Sequence, residues 1–469
     1  MNGENGETGA RRASAGIRIV RARRSDARFV VGRVVARFGS SSSSSFGSSR
    51  AAAAARGTMM RACRRARLDA LTGSFDGGAV APCAHCAAGA REHVGASKRR
   101  CAQVRLYRYR SPNLSLCERL FLNRFWDWLV TGGVVPPWMA PNLMTVSGLA
   151  CIVLAYVLLW THSPGLAFEA PGWVYVACAA LAFAYQTADG ADGKQARKTK
   201  SGSPLGEVVD HTCDALSMCY YPLVVVDIFG VGHATANARA TVVAVLMTGR
   251  AMFVVDTVSS TFSGVLPVSK FLDSQEIQLI CQALMIVAAT VGNAFLYDVK
   301  VHVPYVGEQT LGRAGAVFCI TVGAVARVGT FIKTICSSEN HDPPHWPKYR
   351  SPMLIAAQCA LVEAFHGVCL VNAKNFAYAH ATSAILFGES EARIMSIRVS
   401  DPDIPAANWL ALVIMSLTMM VPEGDAFTSG TLLGAALFMF LHRGTCLAAQ
   451  ITGCLGMHPN IFLIRPRVA

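Results

Sequence analysis

Residues 189–214 read DGADGKQARKTKSGSPLGEVVDHTCD, and this polar stretch lies between two apolar segments. It contains four aspartates, Asp189, Asp192, Asp210 and Asp214. A carboxylate at the centre of a bilayer costs about 2.5–3.5 kcal/mol on insertion scales. Four of them near hydrocarbon need a compensating charge, and a pair of divalent metal ions is the simplest one. The stretch therefore predicts a metal site.

The spacing predicts that the aspartates lie on two helices separated by residues 202–204, where Gly-Ser-Pro interrupts the helical pattern. The first two aspartates are three residues apart and share a helix face. The last two are four residues apart and form one stripe with Gly206. If the two helices pack antiparallel, all four carboxylates converge. The small residues Gly206 and Ala196 would let the helices, or a ligand, approach closely.

The chemistry that suits these residues is displacement at phosphorus. Convergent carboxylate oxygens are hard ligands for Mg²⁺ or Mn²⁺, and two such ions would clamp a pyrophosphate. Arg197 lies within reach of a phosphate bound nearby. His211 neighbours Asp210, and the Glu207 carboxylate one turn earlier could orient its imidazole as a general base. Asp214 is the alternative base.

Other interpretations of the stretch fit less well. Solvated aspartates that cap helix ends would not need this regular spacing. An EF-hand loop is excluded because Ala191 and Lys200 occupy positions where that loop requires ligands. A cation-coupled transporter, the remote alternative, gives no reason for Arg197 or for the Gly206 spacing. A catalytically inactive scaffold would not need the complete set of carboxylates.

The composition is typical of a polytopic membrane protein. Of 469 residues, 52% are hydrophobic and 15% are charged, whereas soluble chains carry about 25% charged residues. We predict an all-α transmembrane helical bundle of about ten spans, since apolar runs able to cross about 30 Å recur along the chain. These runs are 143–160, 172–188, 207–229, 240–260, 277–297, 310–335, 351–372, 376–388, 405–421 and 430–453.

An amphipathic helix is predicted before the first span. Residues 113–130 place apolar side chains such as Phe121 and Trp128 opposite polar ones such as Glu118 and Arg124. This pattern suits a helix that lies in the membrane interface. A helix packed on a protein surface explains the pattern equally well.

The net charge of +14 belongs to the N-terminal part of the chain. Residues 1–110 contain 22 Lys and Arg against 6 Asp and Glu, whereas residues 111–469 contain 21 against 23. We therefore expect no nucleic-acid partner. Residues 1–105 are interpreted as a basic, disordered extension, as a transit peptide, or as the product of a start codon placed too far upstream. Residues 106–460 are the predicted membrane domain.

The basic residues between the second and third predicted spans indicate an orientation. Lys194, Arg197, Lys198 and Lys200 cluster in this short connection. Positively charged connections remain on the cytosolic side. The site is therefore predicted to face the cytosol.

The complete pattern resembles the signature of the CDP-alcohol phosphotransferase family. The signature is Asp-x-x-Asp-Gly-x-x-Ala-Arg, eight residues, Gly, three residues, Asp, three residues, Asp. It is matched at Asp189, Asp192, Gly193, Ala196, Arg197, Gly206, Asp210 and Asp214. The residues between these fixed positions are similar to those of the cholinephosphotransferase and ethanolaminephosphotransferase branch. APNLMT at 140–145 resembles a segment of that branch in which an Asn at the position of Asn142 helps to hold the CDP group.

This resemblance implies transfer of phosphocholine or phosphoethanolamine from CDP-choline or CDP-ethanolamine to diacylglycerol, with release of CMP. It implies two Mg²⁺ or Mn²⁺ ions on the four aspartates, and His211 as the group that takes the hydroxyl proton. The residues assigned to substrate binding are Asn142, Gly193, Ala196, Arg197, Gly206 and Glu207.

The resemblance also implies an integral membrane protein of the endoplasmic reticulum or Golgi, often a homodimer. An organelle membrane is the expected location if the extension is a transit peptide. The alternative within the same family is a phosphatidylinositol synthase, which uses a different donor and acceptor.

Overall fold

The computed structural model describes residues 101–102, 104–107, 114–166, 169–230, 238–263, 265, 273–304, 307–336, 352–399, 408–457 and 460–463. Apart from four residues between 101 and 105, the extension predicted over 1–105 lies outside the described residues.

The described residues form a helical bundle. A π-helical turn, Glu118–Leu122, precedes the first helix, and a 3-10 turn, Pro164–Leu166, follows the second. The helices are α1 Asn123–Thr131, α2 Pro141–His162, α3 Gly172–Lys198, α4 Pro204–Ile228, α5 Ala238–Ser263, α6 Ser274–Val291, α7 Ala294–Asp298, α8 Leu311–Cys336, α9 Pro352–Asn372, α10 Phe376–Val399, α11 Trp409–Met420 and α12 Ala426–Leu455.

The predicted all-α fold is confirmed in this part of the chain, with one small exception. Two short strands, β1 Lys300–Val303 and β2 Gly307–Thr310, pair antiparallel between α7 and α8. The hairpin is short and polar and lies between two helices, so the apolar runs gave no sign of it.

Nine of the ten predicted apolar runs each overlap one described helix, and the run 277–297 is divided between α6 and α7 by a break at Gly292. The helices differ in their suitability as spans. Five are long and apolar enough to cross a membrane: Pro141–His162, Ala238–Thr261, Ser274–Val291, Leu311–Lys333 and Ala426–Leu455. The apolar helical segments Ala357–Asn372 and Leu410–Met420 are shorter. A count of about ten spans therefore stays a prediction.

The short run at 376–388 is only the first half of a longer helix. α10 continues to Val399, although its second half carries several charged residues. Glu389 shows why the helix can remain buried there. Its Oε1 lies 2.6 Å from Arg393 Nε and 2.5 Å from Arg443 Nη1, and its Oε2 accepts a hydrogen bond from Asn408 at 2.9 Å. Paired charges can be buried where isolated ones cannot.

The helix before the first span has two apolar surfaces. Leu122, Trp126 and Val130 are buried in one cluster with residues of α2 and α3. Phe121 and Trp128 are exposed. The helix thus packs on the bundle and also presents apolar side chains outward, and its location in a membrane interface stays a prediction.

The contact of α1 with α3 depends on Gly190. A Cβ atom added to this residue would lie 2.4 Å from the indole ring of Trp126, far inside van der Waals contact. Trp126 is buried, with 3% of its surface exposed, so the ring has little freedom to move. Only glycine lets the tryptophan lie against α3 at this point, next to Asp189.

Gly190→Ala is expected to destabilise the protein by about 1–3 kcal/mol, because overpacking outweighs the better helix propensity of alanine. Thermal unfolding in detergent micelles measures the effect. Gly434→Ala in α12 is the matched control, since a Cβ added there meets no atom within 4 Å. Equal stability of the two variants would contradict the packing argument.

Candidate active site

A cavity of about 620 Å³ opens where the C-terminal end of α3 meets the N-terminal end of α4. All of the predicted site residues line this single cavity. They are Asn142, Asp189, Asp192, Gly193, Ala196, Arg197, Gly206, Glu207, Asp210, His211 and Asp214. The five-residue connection between the two helices brings both halves of the signature together.

Three of the four aspartates form a tight group. Carboxylate oxygens of Asp189, Asp210 and Asp214 all lie within 4.8 Å of one another. Asp192 lines the same cavity but is not part of this group. It accepts a hydrogen bond from the Thr145 hydroxyl of α2 through Oδ2, and its side chain also contacts Asp210.

Donors from neighbouring helices hold the carboxylates in place. The Tyr185 hydroxyl donates to Asp214 Oδ1 at 3.0 Å and lies 2.7 Å from Ser217 Oγ. The Gln275 side chain of α6 bonds to Asp189. Gln275 is itself fixed, because its Oε1 accepts a hydrogen bond from Gln186 Nε2 at 2.8 Å.

The carboxylate group suits a divalent cation. Its oxygens are hard ligands from two helices, which is the donor set that Mg²⁺ and Mn²⁺ prefer. Asp210 Oδ1 is buried and has no hydrogen-bond partner among the described residues. A buried carboxylate oxygen without a donor is costly, and a bound cation would satisfy it.

Gly206 and Asn142 face each other across the cavity. Ser203 begins α4 as its N-cap and accepts a hydrogen bond from the Gly206 amide at 3.2 Å. The position of a Cβ on Gly206 would lie 3.6 Å from Asn142 Oδ1. The Asn142 side chain is fixed by its amide nitrogen, because Nδ2 donates a hydrogen bond to the Ile461 carbonyl at 2.9 Å. Its Oδ1 therefore faces α4 across the cavity.

The basic residues of the connection have separate roles. Lys194 forms an ion pair of 2.7 Å with Asp127 of α1, and Lys198 donates to the Val130 carbonyl. Both lysines thus fasten α1 to α3. Arg197 is exposed and lines the cavity, and it forms no ion pair with another residue that the structure describes. Its guanidinium is available to an anionic ligand.

His211 and Glu207 lie on adjacent turns of α4 and are both buried. The Nδ1 atom of His211 is 3.9 Å from Asp210 Oδ2, and the ring lies near the Glu207 backbone rather than in a hydrogen bond with a described side chain. The Glu207 carboxylate instead accepts a hydrogen bond from the Tyr107 hydroxyl and lies 3.1 Å from Arg398 Nη1.

Four of these contacts were not predicted from the sequence. Thr145 and Tyr185 lie on helices whose ends were assigned by hydropathy, and a single hydroxyl leaves no signal in an apolar run. Tyr107 and Arg398 come from segments remote from the signature. The charge of Arg398 in an otherwise buried helix was the one available sign that it has a partner.

Comparison with known proteins indicates the same family as the signature residues that line the cavity. Residues 138–326 match the family model for CDP-alcohol phosphatidyltransferase. A Dictyostelium discoideum protein called uncharacterized CDP-alcohol phosphatidyltransferase class-I family protein 2 is 35% identical over 219 residues, which are 47% of this chain and 50% of that protein. The family resemblance predicted from the signature is therefore confirmed over residues 138–326.

Two further relatives have more specific names. Cholinephosphotransferase 1 of Bos taurus is 36% identical over 215 residues, covering 45% of this chain and 50% of the relative. Ethanolaminephosphotransferase 1 of Mus musculus is 26% identical over 374 residues, covering 75% of this chain and 91% of the relative. The chain spans about half the length of the first two relatives.

Asp210→Asn is expected to weaken Mn²⁺ binding by more than about 10-fold while the protein remains folded, because the central carboxylate loses its charge. Titration of the purified protein followed by Mn²⁺ electron paramagnetic resonance measures the affinity. Asp127→Asn is the control, since Asp127 is an exposed carboxylate outside the cavity. Unchanged Mn²⁺ affinity in Asp210→Asn would refute the metal assignment.

Proposed function

We propose that this chain transfers phosphocholine or phosphoethanolamine from the CDP-alcohol to the hydroxyl of diacylglycerol and releases CMP. The observation that carries the proposal is the single cavity lined by four aspartates, His211 and an exposed Arg197. The relatives named cholinephosphotransferase and ethanolaminephosphotransferase support it.

The donor would lie with its pyrophosphate at the carboxylate group. Two Mg²⁺ or Mn²⁺ ions, held by Asp189, Asp192, Asp210 and Asp214, would neutralise the phosphates and make the β-phosphorus more electrophilic. Arg197 would pair with a phosphate oxygen as charge develops on the leaving CMP. Gly193, Ala196 and Gly206 would leave room for the nucleotide, and Asn142 would contact it.

The acceptor hydroxyl would approach on the side of His211. The hydroxyl oxygen forms a new bond to the β-phosphorus, the bond from that phosphorus to the CMP oxygen breaks, and the hydroxyl proton passes to His211. His211 is favoured over Asp214 as the base because its imidazole lines the cavity and forms no hydrogen bond with a described side chain. Asp214 is committed to the carboxylate group and to Tyr185.

The membrane placement completes the proposal. About ten helices would span the bilayer, and α1 would lie in the interface with Phe121 and Trp128 towards lipid. The cavity would face the cytosol, in the endoplasmic reticulum or Golgi membrane, where both substrates are accessible. A homodimer is part of this proposal, and the exposed apolar side chains of α8 and α12 offer surface for it or for lipid.

Headgroup transfer by the purified protein tests the proposed function. Labelled CDP-choline, CDP-ethanolamine and CDP-diacylglycerol are each supplied, with diacylglycerol or inositol as acceptor and Mg²⁺ or Mn²⁺. We expect CMP release with the first two donors, and competition between them gives the headgroup preference. Activity with CDP-diacylglycerol alone would identify a phosphatidylinositol synthase, and metal-dependent flux without CMP release would identify a transporter.

Arg197→Ala is expected to lower kcat/KM by about 10- to 100-fold, which corresponds to the loss of one charge-assisted hydrogen bond. Arg197→Lys should keep part of the activity. Steady-state CMP release measures both variants. Lys200→Ala is the control, because Lys200 is also exposed but does not line the cavity. Similar losses in Arg197→Ala and Lys200→Ala would show that only the net charge of this connection matters.

A further inference from the structure

Glu207 lines the cavity one turn before His211, and its carboxylate is held by two residues outside the family match at 138–326. Tyr107, before the first helix of the bundle, donates a hydrogen bond to Glu207 Oε2. Arg398, near the end of α10, places its Nη1 atom 3.1 Å from Glu207 Oε1. Both oxygens of this carboxylate are therefore engaged by side chains from remote parts of the chain.

Arg398 and Glu207 form a buried ion pair. Only 4% and 6% of their side-chain surfaces are exposed. The Arg398 guanidinium lies 6.0 Å from the centre of the Tyr107 ring, and its Nη1 also donates to Ser260 Oγ of α5 at 3.1 Å. Removing one partner of a buried pair leaves the other charge uncompensated. Arg398 thus fixes both the orientation and the net charge at Glu207.

The segment that carries Tyr107 is attached to the end of α12. Cys101 forms a disulfide with Cys454, and Arg105 Nε donates to the Cys454 carbonyl at 2.8 Å. Val104 is buried in an apolar cluster with residues of α4, α10 and α12. These contacts hold the Tyr107 hydroxyl over the N-terminal turn of α4.

We propose that Arg398 and Tyr107 are positioning residues that act through Glu207 on the proton-accepting side of the reaction. This inference rests on the proposed function. Glu207 precedes His211 by one turn, and both line the cavity. Held by two partners, its carboxylate keeps a fixed orientation in the cavity wall, one turn before the imidazole. Without Arg398 it becomes a fifth uncompensated carboxylate in the cavity wall.

The role predicts a specific kinetic pattern. In the proposed function the aspartates and Arg197 hold the pyrophosphate, whereas Arg398 and Tyr107 bind Glu207. Arg398→Met is therefore expected to lower kcat at least about 30-fold while KM for the CDP-alcohol changes less than about threefold. Arg398→Lys restores a cation beside Glu207 and should recover kcat to within about fivefold of the wild type. Steady-state kinetics of the full-length protein measure both constants.

Arg393→Met is the matched control. Arg393 lies on the same helix and forms a buried pair of 2.6 Å with Glu389, which Arg443 also binds. Glu389 does not line the cavity, whereas Glu207, the partner of Arg398, does. The kcat of Arg393→Met should remain within about twofold of the wild type. A kcat loss in Arg393→Met equal to that in Arg398→Met would reduce Arg398 to a general structural role and overturn the proposal.

A double variant tests whether Arg398 acts through Glu207. Residues that work as one unit give non-additive effects. Arg398→Met combined with Glu207→Gln should be no slower than Glu207→Gln alone, whereas multiplied losses would overturn the proposal. Tyr107→Phe removes one hydroxyl and should lower kcat about three- to tenfold with KM unchanged. It remains informative if Arg398→Met does not fold, and an unchanged kcat in Tyr107→Phe then overturns the proposal.

The outcomes separate the two proposals. An active wild type with kcat retained in Arg398→Met, or with a raised KM as the only change, overturns the positioning role and leaves the proposed function intact. A wild type that releases no CMP from any CDP-alcohol overturns both.

Discussion

Repulsion among four carboxylates that share one cavity is the constraint on which the rest of the site depends. At a separation of about 5 Å and an effective dielectric constant of about 20, each pair of charges repels by about 3 kcal/mol. Hydrogen-bond donors on nearby helices offset part of this repulsion. Thr145 binds Asp192, Tyr185 binds Asp214 and Gln275 binds Asp189. These donors come from α2, α3 and α6, so the arrangement of three helices is tied to the charge of the site.

The second requirement is that the two signature helices keep their places at the edge of the bundle. Lys194 and Lys198 bind α1, and Gln195 donates to the carbonyls of Pro136 and Met139 at 3.1 and 2.9 Å. Polar residues at the end of α3 thus fasten the preceding segment from three points. The charge cluster that indicated an orientation in the membrane is therefore, in large part, also a structural clamp.

The sequence predicted what depends on local spacing. The aspartates, Gly206 and Arg197 share a cavity because positions three and four apart lie on one helix face, and only five residues connect the two helices. Hydropathy located the helices, but it ended α10 too early at residue 388, because burial of Glu389 depends on arginines from two helices. Tyr107 and Arg398 were missed for the same reason. Their partner, Glu207, is distant in sequence, and no periodicity links residues that meet only after the bundle has closed.

The position of these contacts along the chain has a consequence for biosynthesis. The ribosome delivers the N-terminal residues first, at about 5–20 residues per second. All four aspartates lie on consecutive helices and can gather as soon as α3 and α4 pair. Glu207 must wait for Arg398 on α10, and the segment carrying Tyr107 must wait for the end of α12. The nascent chain thus acquires its group of aspartates early and the partners of Glu207 only at the end of translation, so a prematurely terminated chain would carry the first without the second.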